Sequence, residues 1–254
     1  LYSQGYTPFS WHKDAFKLAK KLRIPIFSSP FSKRAVDLLE SFKVPIYKIA
    51  SFEITDLSLI DYVARKKKPI IVSTGMATLT EIKRAIKTIE KYHNKIIILY
   101  CVSGYPTLEK DTNILTIKKF QKIFKKYIIG ISDHTDNIYS ALSSTVLGAS
   151  VIEKHFIINK KTNSLDKLFS IDPNQLKELK LFSKKMFLTL KSSKIGPKKN
   201  ELSSLKLRRS IFATKDIQKG EKLTKKNIGC FRPKIGLGAE NYFKIIGKKS
   251  KKKF

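Results

Sequence analysis

Two apolar runs in this chain end in histidine. Residues 128–135 read IIGISDHT and residues 150–156 read SVIEKHF, so hydrophobic segments close on Ser132, Asp133, His134 and on Glu153, Lys154, His155. In an extended chain alternate residues share a face, which puts Ser132 with His134 and Glu153 with His155, and Asp133 on the opposite face as a structural partner. If neighbouring strand ends bring both imidazoles to one rim, they form part of a divalent-metal site, with oxygen ligands or water completing the shell. Two unconnected, hydrogen-bonded histidines would give the same spacing. The remaining histidines, His12 in SWHKDAF and His93 in IEKYHNK, fall on helical surfaces and read as solvated.

Lys48 in YKIASFE is a second candidate, because an unpaired ammonium in mid-strand is costly and needs an anionic partner. Glu53 or Glu153 would serve, and so would a bound phosphate or carboxylate. Ser29, Ser51, Ser73, Ser103 and Ser132 close five successive apolar runs. Hydroxyls repeated at that position, near a lysine, point to an anion site. Cys101 and Cys230 are too few and too far apart for a zinc site or a disulfide framework; they read as ordinary packing in a reducing cytoplasm.

The elements that must position these groups follow from periodicity. Six runs (24–30, 45–51, 69–75, 96–103, 128–134 and 150–156) are apolar or β-branched, start apolar and gain polar groups at their C-terminal ends. Amphipathic stretches separate them. Thr78 and Glu81 form a capping box, and Asp172 with Pro173 reads as the start of another helix. Buried strands alternating with helices give a parallel sheet covered by helices. No G-x-G-x-x-G follows a strand, and six armed strand ends suit the rim of a (β/α)8 TIM barrel better than one switch point. Such a barrel needs eight strands, so two βα units are expected to be missing ahead of Leu1. The expected division is a barrel over 1–190, a linker over 191–206 and a small, mainly β module over 207–254.

The net charge of +32 raises the possibility of nucleic-acid binding. Only seven of the 52 basic residues are Arg, and the lysines are dispersed, as on solvated faces. No nucleic-acid partner is expected. Nor is a membrane partner, since no uninterrupted apolar stretch approaches the roughly 20 residues of a spanning helix and no signal pattern opens the chain.

The stretches FSSPF, YKIASFEITDLSLI, PIIVSTGMATLTEI, CVSGYP, ISDHT and VIEKHF, in this order, resemble the sialic acid synthase family. YTPFSWH and LDKLFSIDP are most similar to its pseudaminic acid synthase branch. The segment from Arg208 resembles the family's antifreeze-like (SAF) domain. The resemblance implies condensation of phosphoenolpyruvate with an N-acetylated amino sugar, a 2,4-diacetamido-2,4,6-trideoxy-hexose, to give a nine-carbon 2-keto acid and phosphate. It implies His134 and His155 as ligands of Mn2+, or of Mg2+ or Co2+. Lys48, Ser29, Ser51, Ser73 and Ser132 would hold phosphoenolpyruvate, with Ser103 standing where related synthases carry Asn. Glu53, Tyr105 and Asp166 would face the sugar. Arg209, or else Arg208, would reach the sugar's N-acyl group in the other subunit of a homodimer with exchanged SAF domains.

Family members begin with two βα units carrying a Glu, a strand Lys and a Gln, and their SAF domain runs on beyond KIIGKKSKKKF. On the resemblance this chain is therefore expected to be truncated at both ends and, taken alone, inactive or poorly soluble. An N-acetylneuraminate or legionaminate synthase is the alternative within the family, and an inactive remnant is the alternative outside catalysis.

Overall fold

The structure, a computed structural model, describes residues 7–254, so Tyr6 of the YTPFSWH stretch lies outside the described residues. The chain divides into a unit ending at Ser192 and a second unit, Ser193–Phe254.

The first unit is built on five parallel strands: β1 (Tyr47–Ile49), β2 (Ile70–Ser73), β3 (Ile96–Cys101), β4 (Ile128–Asp133) and β5 (Ile152–Lys154). Helices α1 (Phe9–Leu22) and α2 (Lys33–Ser41) precede the sheet. Each strand is followed by a helix: α3 (Leu57–Ala64), α4 (Leu79–Glu90), α5 (Thr116–Ile123), α6 (Tyr139–Val146) and α7 (Pro173–Thr189). The strands lie side by side in sequence order, without the reversal that defines a doubly wound sheet. That order is the run of a (β/α)8 barrel. Ile and Val dominate β2 and β3, which are buried on both faces because helices cover the outside and facing strands fill the inside.

Local chemistry sets the helix starts. Thr78 accepts the Glu81 amide while the Glu81 carboxylate accepts the Thr78 amide, and Asp172 caps α7 reciprocally with Gln175. The structure departs from the sequence pattern at residues 24–30, which form no strand. Pro25 and Pro30 lack the N–H a ladder needs, and Ile24 and Phe27 are exposed rather than sandwiched.

The second unit holds an antiparallel pair, β6 (Ser210–Ala213) and β7 (Ile228–Phe231), and a short helix α8 (Tyr242–Ile245). The core under this pair is small, with Ile217 and Ile228 among its buried residues.

Candidate functional site

The polar groups gather at the C-terminal ends of β1 to β5. Lys48 is almost fully buried in β1, and its Nζ donates to Ser73 Oγ of β2 at 2.8 Å. The same ammonium lies 3.6 Å from Glu153 Oε1 of β5, which also accepts a 2.7 Å hydrogen bond from Ser132 Oγ of β4. The partner foreseen for Lys48 is thus Glu153 rather than Glu53. Ser51 Oγ accepts the Gly75 amide at 3.1 Å and donates towards Cys101 Sγ at 3.4 Å. Burial depresses the Lys48 ammonium, and the Glu153 charge opposes that shift.

Beside this cluster the two imidazoles meet, with ring centroids 5.2 Å apart. The His134 Nδ1 lies 2.8 Å from the Val102 carbonyl, which can only accept, so Nδ1 carries the proton. In turn His155 Nδ1 lies 3.1 Å from Asp166 Oδ2. Protons held on both Nδ1 atoms leave the Nε2 lone pairs free, the tautomer that ligation through Nε2 requires. Tyr105 packs on His134 with centroids 4.3 Å apart, and Phe169 packs edge-on to His155 at 4.8 Å. Burial, then the neighbouring His134, holds the His155 pKa below its ordinary value. The His134 value is raised; burial alone would lower it, but the Cys101 thiol and the Val102 carbonyl outweigh that. Among the described residues no group of three or more His, Cys, Asp and Glu is arranged around a metal position. The donors this rim offers a cation are the two imidazole Nε2 atoms.

Asp166 and Phe169 reach this rim because the chain returns alongside the end of β5. The Ile171 amide donates to the His155 carbonyl at 2.9 Å, and the Ile157 amide to the Ile171 carbonyl at 3.0 Å. Glu53 follows β1 in a 3-10 turn, and its Oε2 is buried without a protein partner. Burial raises the Glu53 pKa.

The structure brings together Lys48, Ser51, Ser73, Ser103, Tyr105, Ser132, His134, His155 and Asp166, linked through the contacts above and a 3.9 Å approach of Ser103 Oγ to Cys101 Sγ. Asp166, expected to face a sugar, is the carboxylate that orients His155. Ser29 lies half-buried on the extended 24–30 segment, and Arg209 is exposed in the second unit. Cys101, read from the sequence as ordinary packing, stands between Ser51 and His134. Strand periodicity does not reveal Phe169, and its place three residues after Asp166 is the one signal in the sequence.

Known proteins resemble this chain in sequence and fold. The NeuB family matches residues 1–194 and the SAF domain residues 208–254. This chain belongs to the NeuB family. A pseudaminic acid synthase of Helicobacter pylori is 46% identical over 99% of this chain and 74% of its own length. The N,N'-diacetyllegionaminic acid synthase of Campylobacter jejuni is 36% identical, with 96% of this chain and 74% of that protein covered. The crystal structure of an N-acetylneuraminic acid synthetase from Leptospira borgpetersenii, in complex with citrate, superposes with a TM-score of 0.72. It is 30% identical and covers 76% of this chain and 68% of that one. The NeuB unit here is thus a partial TIM barrel, and a SAF domain follows it. No helix among the described residues is long and apolar enough to cross a membrane.

Proposed function

We propose that this NeuB-family chain carries the phosphoenolpyruvate and metal-binding rim of a synthase acting on a 2,4-diacetamido-2,4,6-trideoxy-hexose. The product is a nine-carbon 2-keto acid of the pseudaminic type, for surface carbohydrate made in the cytoplasm. The observation that carries this reading is the buried Lys48, bonded to the Ser73 hydroxyl and near Glu153, which accepts from the Ser132 hydroxyl, beside the two imidazoles. A buried ammonium with hydroxyl donors suits the phosphate and carboxylate of phosphoenolpyruvate. Binding an anion there would also balance the Lys48 charge, which Glu153 meets only at 3.6 Å.

In the reaction, C3 of the enolpyruvate bonds to the aldehyde carbon of the open-chain sugar as the carbonyl π pair moves to the aldehyde oxygen, which takes the proton released by the water that adds at C2. Water adds at C2, the C2–O bond to phosphate breaks with its electron pair on phosphate, and the C2 hydroxyl loses its proton to give the ketone. Lys48, Ser51, Ser73 and Ser132 stabilise the departing phosphate. The unpartnered Oε2 of Glu53 accepts a hydrogen bond from the sugar. Asp166 and the Val102 carbonyl keep the imidazole protons on Nδ1. When bound by His134 and His155, a divalent ion such as Mn2+ would supply Lewis-acid polarisation of the aldehyde oxygen. A homodimer would bring Arg209 of the SAF unit to the N-acyl group in a second copy's barrel, and sedimentation of the chain tests that association.

The decisive test is calorimetric. Phosphoenolpyruvate is expected to bind the chain in the presence of Mn2+, and Lys48→Met, which removes a charge-assisted hydrogen bond, to weaken binding about 10- to 100-fold. The 2,4-diacetamido sugar should raise the melting temperature more than N-acetylmannosamine does. Equal phosphoenolpyruvate affinity in wild type and Lys48→Met would reject the reading. A preference for the legionaminate precursor would move the chain to the legionaminate branch, which the 36% identical Campylobacter relative keeps in view.

A further inference from the structure

Asp133 and Lys154 are the last residues of β4 and β5 and are direct partners in the parallel ladder. Strand alternation turns them to the face opposite Ser132, His134, Glu153 and His155. Their side chains are 2% and 3% exposed, so this is a fully buried ion pair, with Lys154 Nζ 3.0 Å from Asp133 Oδ2. The same ammonium donates to Thr135 Oγ1 at 3.1 Å and to the Thr135 carbonyl. Asp133 Oδ1 accepts the Thr135 amide at 2.9 Å, and Asp133 Oδ2 accepts the Thr135 hydroxyl at 3.2 Å. One lysine therefore grips the residues on both sides of His134, while its own backbone runs directly into His155.

The reaction described above makes no use of these groups. A buried ion pair is a poor source of net stability, since desolvation offsets the attraction. Its best-attested use is to fix register, and a one-residue slip here would turn one imidazole away from the site. We propose that the Asp133–Lys154 pair sets the separation and orientation of His134 and His155. Both residues are then positioning residues for divalent-cation binding. This rests on the reading of the two histidines as the metal pair.

The test compares the wild-type chain with Asp133→Asn/Lys154→Met, which removes both charges and strands neither. The readouts are the melting temperature, Co2+ affinity, and ring-nitrogen spectra of isotope-labelled histidine in metal-free protein. The double variant is expected to melt near the wild type, to bind Co2+ about 10- to 100-fold more weakly, and to lose the uniform Nδ1-protonated state of His134 and His155. Unchanged ring signals and unchanged affinity overturn the proposal. Should wild type take up no Co2+, the metal reading fails, and the ring spectra alone decide whether the pair orients the imidazoles. Lys154→Arg guards against a fold defect in the double variant. It keeps the charge but cannot copy a compact ammonium's three contacts, so it should shift the ring signals the same way by less. Ring signals that stay fixed in Lys154→Arg also count against the proposal.

Discussion

Gly75 shows how closely the rim is packed. A Cβ built there would lie 2.0 Å from Ser103 Oγ and 2.8 Å from Ser51 Oγ, and the Gly75 amide already donates to Ser51. The cost of Gly75→Ala is steric and falls on Ser51, proposed to hold phosphoenolpyruvate, and on its neighbour Ser103. Gly75→Ala is expected to stay folded, losing about 1 to 3 kcal/mol of stability to overpacking, and to bind phosphoenolpyruvate about tenfold more weakly, as fits one lost hydrogen bond. Thermal melts alongside calorimetry check this, and wild-type affinity would show that the Ser51 hydroxyl does not hold the ligand. At this scale strand parity made much of the site legible. Ser132 with His134 and Glu153 with His155 follow from alternation alone. Cys101, Phe169 and the bond from Asp166 to His155 do not, because they depend on contacts between segments that no periodicity encodes.

Elements are tied to one another at the opposite end of the strands. Glu40 at the end of α2 accepts Tyr47 Oη of β1 at 2.7 Å and pairs at 2.7 Å with Lys68, which precedes β2. Burial alone would raise the Glu40 pKa, but the Lys68 and Tyr47 hydrogen bonds outweigh it and hold the carboxyl below its ordinary value of 4.5. A carboxyl depressed by folding contributes stability that is present above its unfolded pKa and lost as pH falls through the folded value. Glu40→Gln should therefore destabilise the protein near neutral pH by about 1 kcal/mol, a figure kept low because the carboxylate is partly exposed. The gap should close below about pH 4, where wild type loses the same charge. Denaturant melts across pH give the answer, and a gap that widens in acid would refute the assignment. Phosphoenolpyruvate affinity should not change, since the N-terminal face of a barrel serves stability rather than chemistry. The five parallel strands, the Thr78–Glu81 capping box and the helix start at Asp172 were readable from period and cap residues. The run at 24–30 was not, because its composition suits a strand while Pro25 and Pro30 deny it donors, and composition carries no information about partners.

Across the whole chain the dominant physical fact is charge. With 52 basic and 20 acidic residues the net charge is +32, and most lysines sit on exposed helix and loop surfaces. Self-repulsion of that size disfavours compact states, because unfolding lets like charges move apart. The ion pairs that offset it are few and local, such as Lys66 with Asp37 and Arg65 with Asp61. Screening should therefore stabilise the fold. Between about 0.1 M and about 1 M sodium chloride the Debye length falls from about 10 Å to about 3 Å, shorter than most spacings between exposed lysines on a surface. Repulsion acting over many pairs is then suppressed, while the surface pairs that salt also weakens are worth at most about 1 kcal/mol each. The melting temperature is expected to rise across that range, and most steeply at its low end. A flat or falling melting curve would mean that local pairing already neutralises the surface. The same titration addresses the basic composition as a binding signal, since a nucleic-acid binder would lose affinity by orders of magnitude over a smaller salt change. Dispersed lysine with little arginine predicts only weak, salt-sensitive retention on a polyanion, and tight binding at about 0.2 M salt would contradict it.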